Sequence, residues 1–468
     1  MTNCSLLSVT VLVLCAATVE GFLNHKAPSS PRNGRTRAYK TQPLMSTPPS
    51  LESEKKKARR SIMVKQDFIR SPTHFKAEKA TVDAMMLAEF KSSLTEEMRD
   101  TGYEVVKGEG QSQVTFKLAK EFGFCWGVER SIELALSAAE RFKGKKIHIT
   151  NELIHNPGVN DMMGANGIEF IEKTAEGKRF DLVKEGDVVI LPAFGATLEE
   201  MQLMDERGVT TVDTTCPWVS KVWNVIDKHV RADMTSVIHG KYGHEESVAT
   251  ASFCENFIIV KDIDEAEYVC NYILNPSPEG KAALLAKFVN AISEGFDPDL
   301  HLKKIGLANQ TTMYKKETTA IGKLFEKTMM TAFGPEDAAS RYAAFDTICD
   351  ATQERQDAIM DMCNEPGAKE ALDFILVVGG WDSSNTAHLV EIPHGKGIPA
   401  YHIDKADCIG ADNTITYRDV DGSIKVEKDF LALDRPMTIG VTSGASTPDA
   451  YVQASLEQII MLKSLAQK

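Results

Sequence analysis

The chain has 468 residues, 43% hydrophobic and 25% charged, the balance of a soluble globular protein too long for one ordinary domain. Its formal charge of −13 and the lack of a basic stripe in its body argue against nucleic acid as a partner. Residues 1–50 hold five basic side chains against one acid, so the remainder is more acidic than the whole, which suits solubility or a basic docking partner without specifying either.

The first element is an apolar run, LLSVTVLVLCAATVEG (Leu6 to Gly21), which ends in small residues and is too short to span a bilayer comfortably. It reads as a signal peptide over 1–21. Residues 22–60 follow as a transit-like segment. Phe22 to Ser50 is rich in Ser, Thr, Pro and basic residues and contains no acid, a composition similar to that of plastid transit peptides. The pair is similar to the bipartite leaders of algae with secondary plastids, so the expected location is a plastid stroma, with no membrane segment in the mature form. A secreted protein with a disordered stalk is the alternative. Against it, the nine cysteines are scattered, two of them (Cys4, Cys15) lie in the leader, and no disulfide framework is visible.

Residues 61–112 form a charged, weakly patterned extension with room for a helix or two in ATVDAMMLAEFKSSLTEEM. From Val114 the chain alternates strand-like apolar runs with helical pattern. The runs are KKIHIT, DVVILPAFG, TSVIHG, NFIIV, KIGLANQ, FILVVGG and MTIGVTSG, each followed by a polar or glycine-containing turn. This predicts an α/β fold with mainly parallel sheets, in three domains over 113–215, 216–348 and 349–468, with ligands gathered at the carboxyl ends of the strands.

Three cysteines stand at similar joints between a strand and a helix. Cys125 lies in FGFCWGVERSIELAL, Cys216 in VDTTCPWVSKVW and Cys349 in FDTICDATQERQ, separated by roughly a small domain each. Any one of them alone is most simply a small buried apolar residue. Three in repeated contexts predict three units, each delivering a thiolate from a helix N-terminus, a position expected to lower the thiol pKa. The C-x₂₋₄-C pairs of structural zinc sites are missing. An iron–sulfur cluster accepts widely spaced thiolates, and three ligands on a four-iron cube leave one iron open for chemistry.

The loops around these joints carry mostly neutral donors. They offer His155 and Asn156; His239, His244, Glu245 and Glu246; Gln310, Thr311 and Thr312; Ser383, Ser384, Asn385 and Thr386; and Ser443 and Ser446. Each loop alone is an ordinary helix cap, and either His239 or His244 alone could be a core histidine. Together, two cups at helix N-termini with His155 and His244 suit a diphosphate, and Glu246 suits a proton donor if burial raises its pKa.

Eight ordered motifs then resemble one family: FGFCWGVERSI, NELIHNPGVND, VDTTCPWVSKVW, HGKYGHEESVATAS, ANQTTM, DTICDATQERQ, VVGGWDSSNTAHL and VTSGASTPD. They resemble the LytB/IspH family of 4-hydroxy-3-methylbut-2-enyl diphosphate reductases, in its plant and cyanobacterial branch, over about Phe116 to Val452. The resemblance implies a trefoil of three α/β domains around a [4Fe-4S] cluster and reductive dehydroxylation of an allylic diphosphate to isopentenyl and dimethylallyl diphosphate. It implies Cys125, Cys216 and Cys349 as cluster ligands. His155, His244, Ser383, Ser384, Asn385 and Ser446 would hold the diphosphate, with Thr311 at the substrate hydroxyl and Glu246 relaying protons. A ferredoxin is the implied electron donor. Bacterial members carry a His where PAFGA places Phe194, and a small residue where Trp126 stands. Ser277–Lys304 reads as a peripheral insertion of the photosynthetic branch. Two other classes share parts of this pattern. One is a non-catalytic iron–sulfur sensor of phosphate ligands, and the other a cluster-free phosphosugar enzyme with Cys216 as nucleophile.

Overall fold

The computed structural model describes residues 54–174 and 177–465; the expected signal peptide and most of the transit-like segment lie outside the described residues. Three sheets organise the rest as the lobes of a trefoil. The first runs, in spatial order, Phe68–Ile69, Thr210–Asp213, Val188–Leu191, Ile147–Ile149, Ile168–Phe170, all parallel. The second runs Phe257–Val260, Thr235–His239, Ile305–Asn309, Tyr342–Ala344, also all parallel. The third has a parallel centre of Ala400–Ile403, Phe374–Val378, Met437–Ser443 and Val114–Leu118. Antiparallel strands flank it, including the hairpin Thr414–Arg418/Ile424–Lys428.

All seven apolar runs form strands. Several are buried along their whole length, as sheets covered on both faces require. One apolar cluster joins Val189 and Leu191 of the first sheet to Val237, Ile238 and Leu307 of the second. On its other face the first sheet packs Val188 and Ile190 against Ile132 and Leu134 of the helix Trp126–Arg141. The third sheet lays Phe116, Leu376 and Val441 on the helix Asp449–Leu465 through Val452, Leu456 and Ile459. Each such side chain contributes about 1.5–3 kcal/mol by leaving water.

Two details depart from the sequence reading. Val114–Leu118, which opens the segment 113–215, pairs with Met437–Ser443 and so lies in the third sheet. The boundary drawn at residue 60 falls inside the helix Glu54–Met63, which is held by Arg59 Nη2 on Asp227 Oδ2 at 3.0 Å, both side chains buried. The extension as a whole is ordered into that helix, Lys79–Phe90 and Ser93–Asp100. Of the segment 277–304, Phe288, Ala291, Phe296 and Leu302 enter the same core as Ile258 and Ile259, away from the pocket described next.

Candidate active site

The repeated Asp-Thr-x-Cys has a repeated geometry. Asp213 Oδ1 accepts the Thr215 N–H at 3.0 Å, and Asp346 Oδ1 accepts the Ile348 N–H at 3.2 Å, so each Asp makes a tight turn over its own backbone. The following threonine hydroxyl donates to the last carbonyl of the neighbouring strand. Thr214 Oγ1 reaches Leu191 O at 2.6 Å and Thr347 Oγ1 reaches Asn309 O at 3.2 Å. The cysteine N–H then binds a carbonyl two residues past that strand, Ala193 for Cys216 (3.0 Å) and Thr311 for Cys349 (3.2 Å). Cys125 reaches the same state without the preamble. Its N–H binds Ala445 O at 3.1 Å, and Gly123 donates to Ser443 Oγ at 2.8 Å. All three cysteines are helix N-caps, and Pro217 fits the first helical position behind Cys216, where no N–H is needed.

The thiols converge. A Cβ on Gly127 would lie 2.5 Å from Cys216 Sγ and 4.0 Å from Cys125 Sγ, so only glycine leaves room there. Cys349 is close enough to feel the charge of Cys125. The expectation that a helix N-terminus lowers the thiol pKa is corrected at Cys216 and Cys349. Burial pushes Cys216 up to about 12, over the opposing pull of the Trp218 and Val219 N–H groups, and Cys349 up to about 11, over that of the Thr352 hydroxyl and N–H. Helix amides aimed at sulfur do not by themselves offset the loss of water. A cationic group among the sulfurs would, and amides pointing at sulfur are what a thiolate-bound cluster receives from its protein. The residues therefore fit an iron–sulfur group.

The eleven residues to which the resemblance assigns a role all line one cavity of about 390 Å³, the three cysteines joined by Glu246, Thr311, His155, His244, Ser383, Ser384, Asn385 and Ser446. Its polar wall is cross-braced. Ser383 caps the helix Ser384–Gly395 by accepting the Thr386 N–H, Asn385 Oδ1 accepts the Ala445 N–H at 2.9 Å, and Ser446 Oγ donates to His155 O at 3.3 Å. His244 Nδ1 accepts the Glu246 N–H at 3.1 Å, which leaves the ring proton on Nε2. Burial lowers its pKa to about 3, so it is a neutral donor. His155 faces Glu152 at 3.2 Å through Nδ1 and Glu245 at 3.6 Å through Nε2. His155 Nε2 and Asn385 Nδ2 are buried and make no hydrogen bond, which leaves two polar positions, one of them the Asn385 amide donor, unspent beside the cavity.

His155, His244 and Glu245 bring ligand atoms within 4.8 Å of one another, a spacing a cation could use. His244 does not suit that role, because Nδ1 is already an acceptor and Nε2 carries the proton. Phe194 takes no part in hydrogen bonding. Its ring stacks on His155 at 4.2 Å, with His244 edge-on to both at 5.1 and 5.6 Å. At this position the chain holds the imidazoles by packing.

Glu246 is 2% exposed, and burial raises its pKa to about 7 against two bonds from Thr311, the N–H to Oε1 at 2.7 Å and the hydroxyl to Oε2 at 2.9 Å. Because Thr311 O also receives the Cys349 N–H, one residue links the acid to a thiol joint. His239, offered by the sequence, is instead buried against Thr318, and Ser443 is spent on Gly123. Arg355 was not anticipated. It lines the cavity while its guanidinium binds Gly123 O at 2.7 Å, tying the helix behind Cys349 to the loop before Cys125. Its only signal in the sequence was a cation on an otherwise buried helix face.

Three thiols lining one cavity with neutral donors and a buried acid define a protein built to hold a thiolate-ligated metal group against an anionic ligand. The family model described as LytB protein matches residues 116–460. The chain belongs to this LytB family, whose members depend on iron–sulfur chemistry. It is 51% identical over 385 residues to a Thermosynechococcus vestitus protein named 4-hydroxy-3-methylbut-2-enyl diphosphate reductase, covering 82% of this chain and 93% of the relative. A Picosynechococcus protein of the same name is 48% identical over 406 residues, covering 87% and 97%. The fold matches the solved E-1-hydroxy-2-methyl-but-2-enyl-4-diphosphate reductase of Plasmodium falciparum with a TM-score of 0.52 at 21% identity, over 73% of this chain and 86% of that one.

Proposed function

We propose that the chain reduces 4-hydroxy-3-methylbut-2-enyl diphosphate, releasing its hydroxyl as water, to isopentenyl and dimethylallyl diphosphate in the last step of the methylerythritol phosphate route. The observation that carries this reading is the single cavity in which three thiols meet the Glu246–Thr311 pair. The names of the cyanobacterial relatives support the substrate. A [4Fe-4S] group held by Cys125, Cys216 and Cys349 would, when bound, supply electrons one at a time and a Lewis-acidic iron.

The chain's own residues do the rest. The Nε2–H of His244, the Asn385 amide, His155 and the hydroxyls of Ser383, Ser384 and Ser446 hold the diphosphate. The Thr311 hydroxyl positions the substrate alcohol, and the Glu246 carboxyl gives its proton to the departing oxygen. Two electrons and two protons enter, the C–O bond breaks and water leaves. The family branch supports a ferredoxin as the external donor and the leader supports a plastid stroma. Anaerobic incubation of iron-loaded protein with dithionite and substrate is expected to yield both C5 diphosphates; a non-catalytic sensor yields neither.

Two outcomes follow from the geometry. Since burial holds Glu246 near 7, it is protonated below that pH and ionised above, so kcat is expected to fall on the alkaline side with a limb near pH 7. A kcat flat from roughly pH 6 to 9 contradicts this assignment. Phe194→Ala removes the face behind His155 and is expected to raise KM roughly 2- to 10-fold with kcat nearly unchanged, the worth of one aromatic contact. Steady-state kinetics read both.

A further inference from the structure

We propose that Arg70, which precedes the residues matched by the family model, is a positioning residue for the Cys216 thiol, so that the amino-terminal extension is part of the metal site. The proposal rests on the reading of the three cysteines as ligands.

The twin joints differ in one respect. At Cys349, the turn-forming Asp346 is 53% exposed and its cation, Lys315 at 2.9 Å, is 51% exposed, a surface pair of small value. At Cys216, Asp213 is 2% exposed and Arg70 Nε binds its Oδ2 at 2.7 Å. Both oxygens of Asp213 are committed, Oδ1 to the Thr215 N–H and hydroxyl and Oδ2 to Arg70. Without Arg70 the buried carboxylate loses the only cation the structure shows bonded to it, keeping the more remote charge of Arg130, and the turn that aims the cysteine is destabilised.

Arg70 braces the joint in two further ways. Its Nη2 donates to Ser220 Oγ at 3.2 Å, in the first turn of the helix that Cys216 caps. Its carbonyl accepts Arg130 Nη2 at 2.7 Å, while Arg130 Nη1 donates to the carbonyl of Thr215, the residue before the ligand, at 3.3 Å. The strand Phe68–Ile69 pairs with Thr210–Asp213 and fixes this register, with the Thr211 N–H on Asp67 O at 2.7 Å. Three contacts thus converge on one ligand loop from a segment that precedes the residues matched by the family model.

The test compares Arg70→Ala, Arg70→Lys and Lys315→Ala in the full chain. The iron-loaded proteins are mixed with a ferrous chelator and iron release is timed. After iron removal, iodoacetamide labelling of Cys125, Cys216 and Cys349 is followed separately by peptide mass. Arg70→Ala is expected to release iron and to label Cys216 about tenfold faster than the parent, with the other two cysteines changed less than about twofold. Arg70→Lys should fall between, because an ammonium restores charge but not the fork. Lys315→Ala should match the parent. Parent-like rates in Arg70→Ala overturn the proposal, and so does equal acceleration at all three cysteines, which marks general loosening. If Arg70→Ala does not fold, Arg70→Lys decides alone by whether Cys216 is selectively faster. If the parent binds no iron, the ligand reading fails, while selective labelling of Cys216 still decides whether Arg70 places that thiol.

Discussion

Glu246→Gln is expected to leave iron content and the visible spectrum unchanged while lowering turnover by roughly 10²–10⁴-fold, the range for losing a positioned general acid. The substitution keeps the side chain's shape, and its Oε1 still accepts the Thr311 N–H, so the link to the Cys349 joint survives. What disappears is a buried carboxyl whose pKa desolvation brings to about 7. The alkaline limb in kcat should vanish with it. A Gln variant that turns over at the parent rate refutes the proton role, whatever the fate of the cluster.

Cys216→Ser is expected to abolish iron retention and, with it, all measurable turnover. A serine in this place must bind as an alkoxide, far harder to form than a thiolate, in a joint where burial already opposes ionisation of the thiol. The N-cap role itself is undemanding of sulfur, since serine caps helices well, so far-UV dichroism should be unchanged. Iron and sulfide quantification on anaerobically purified protein separates these effects. Retained iron in this variant would dismiss Cys216 as a ligand.

Much of this was legible in the sequence because the signals are local. Strand ends, glycine turns and helix caps lie within a few residues of each cysteine, so the three joints could be seen without knowing how the sheets pair. The pairing itself could not be seen. Val114–Leu118 reads as a strand opening the segment 113–215, yet its partner Met437–Ser443 comes from the other end of the chain. The two-residue strand Phe68–Ile69 is too short to show any period, and its value lies in Arg70 just beyond it. The pKa values of Cys216 and Cys349 ran against expectation because a helix N-terminus is visible in sequence whereas depth of burial is not. Phe194 shows the same limit: a missing hydrogen-bonding residue was evident, and the ring stacked on His155 in its stead was not.

The bond from the Cys125 amide to Ala445 has a consequence for biogenesis. Cys125 leaves the ribosome first of the three, but the strand beside it and the carbonyl that seats it are among the last parts of the polypeptide to emerge. The three thiols therefore cannot be brought together in this arrangement until nearly the entire chain has been made. A product terminated ahead of Met437 would contain Cys125, Cys216 and Cys349 yet lack both the strand beside Val114–Leu118 and the Ala445 carbonyl that seats Cys125.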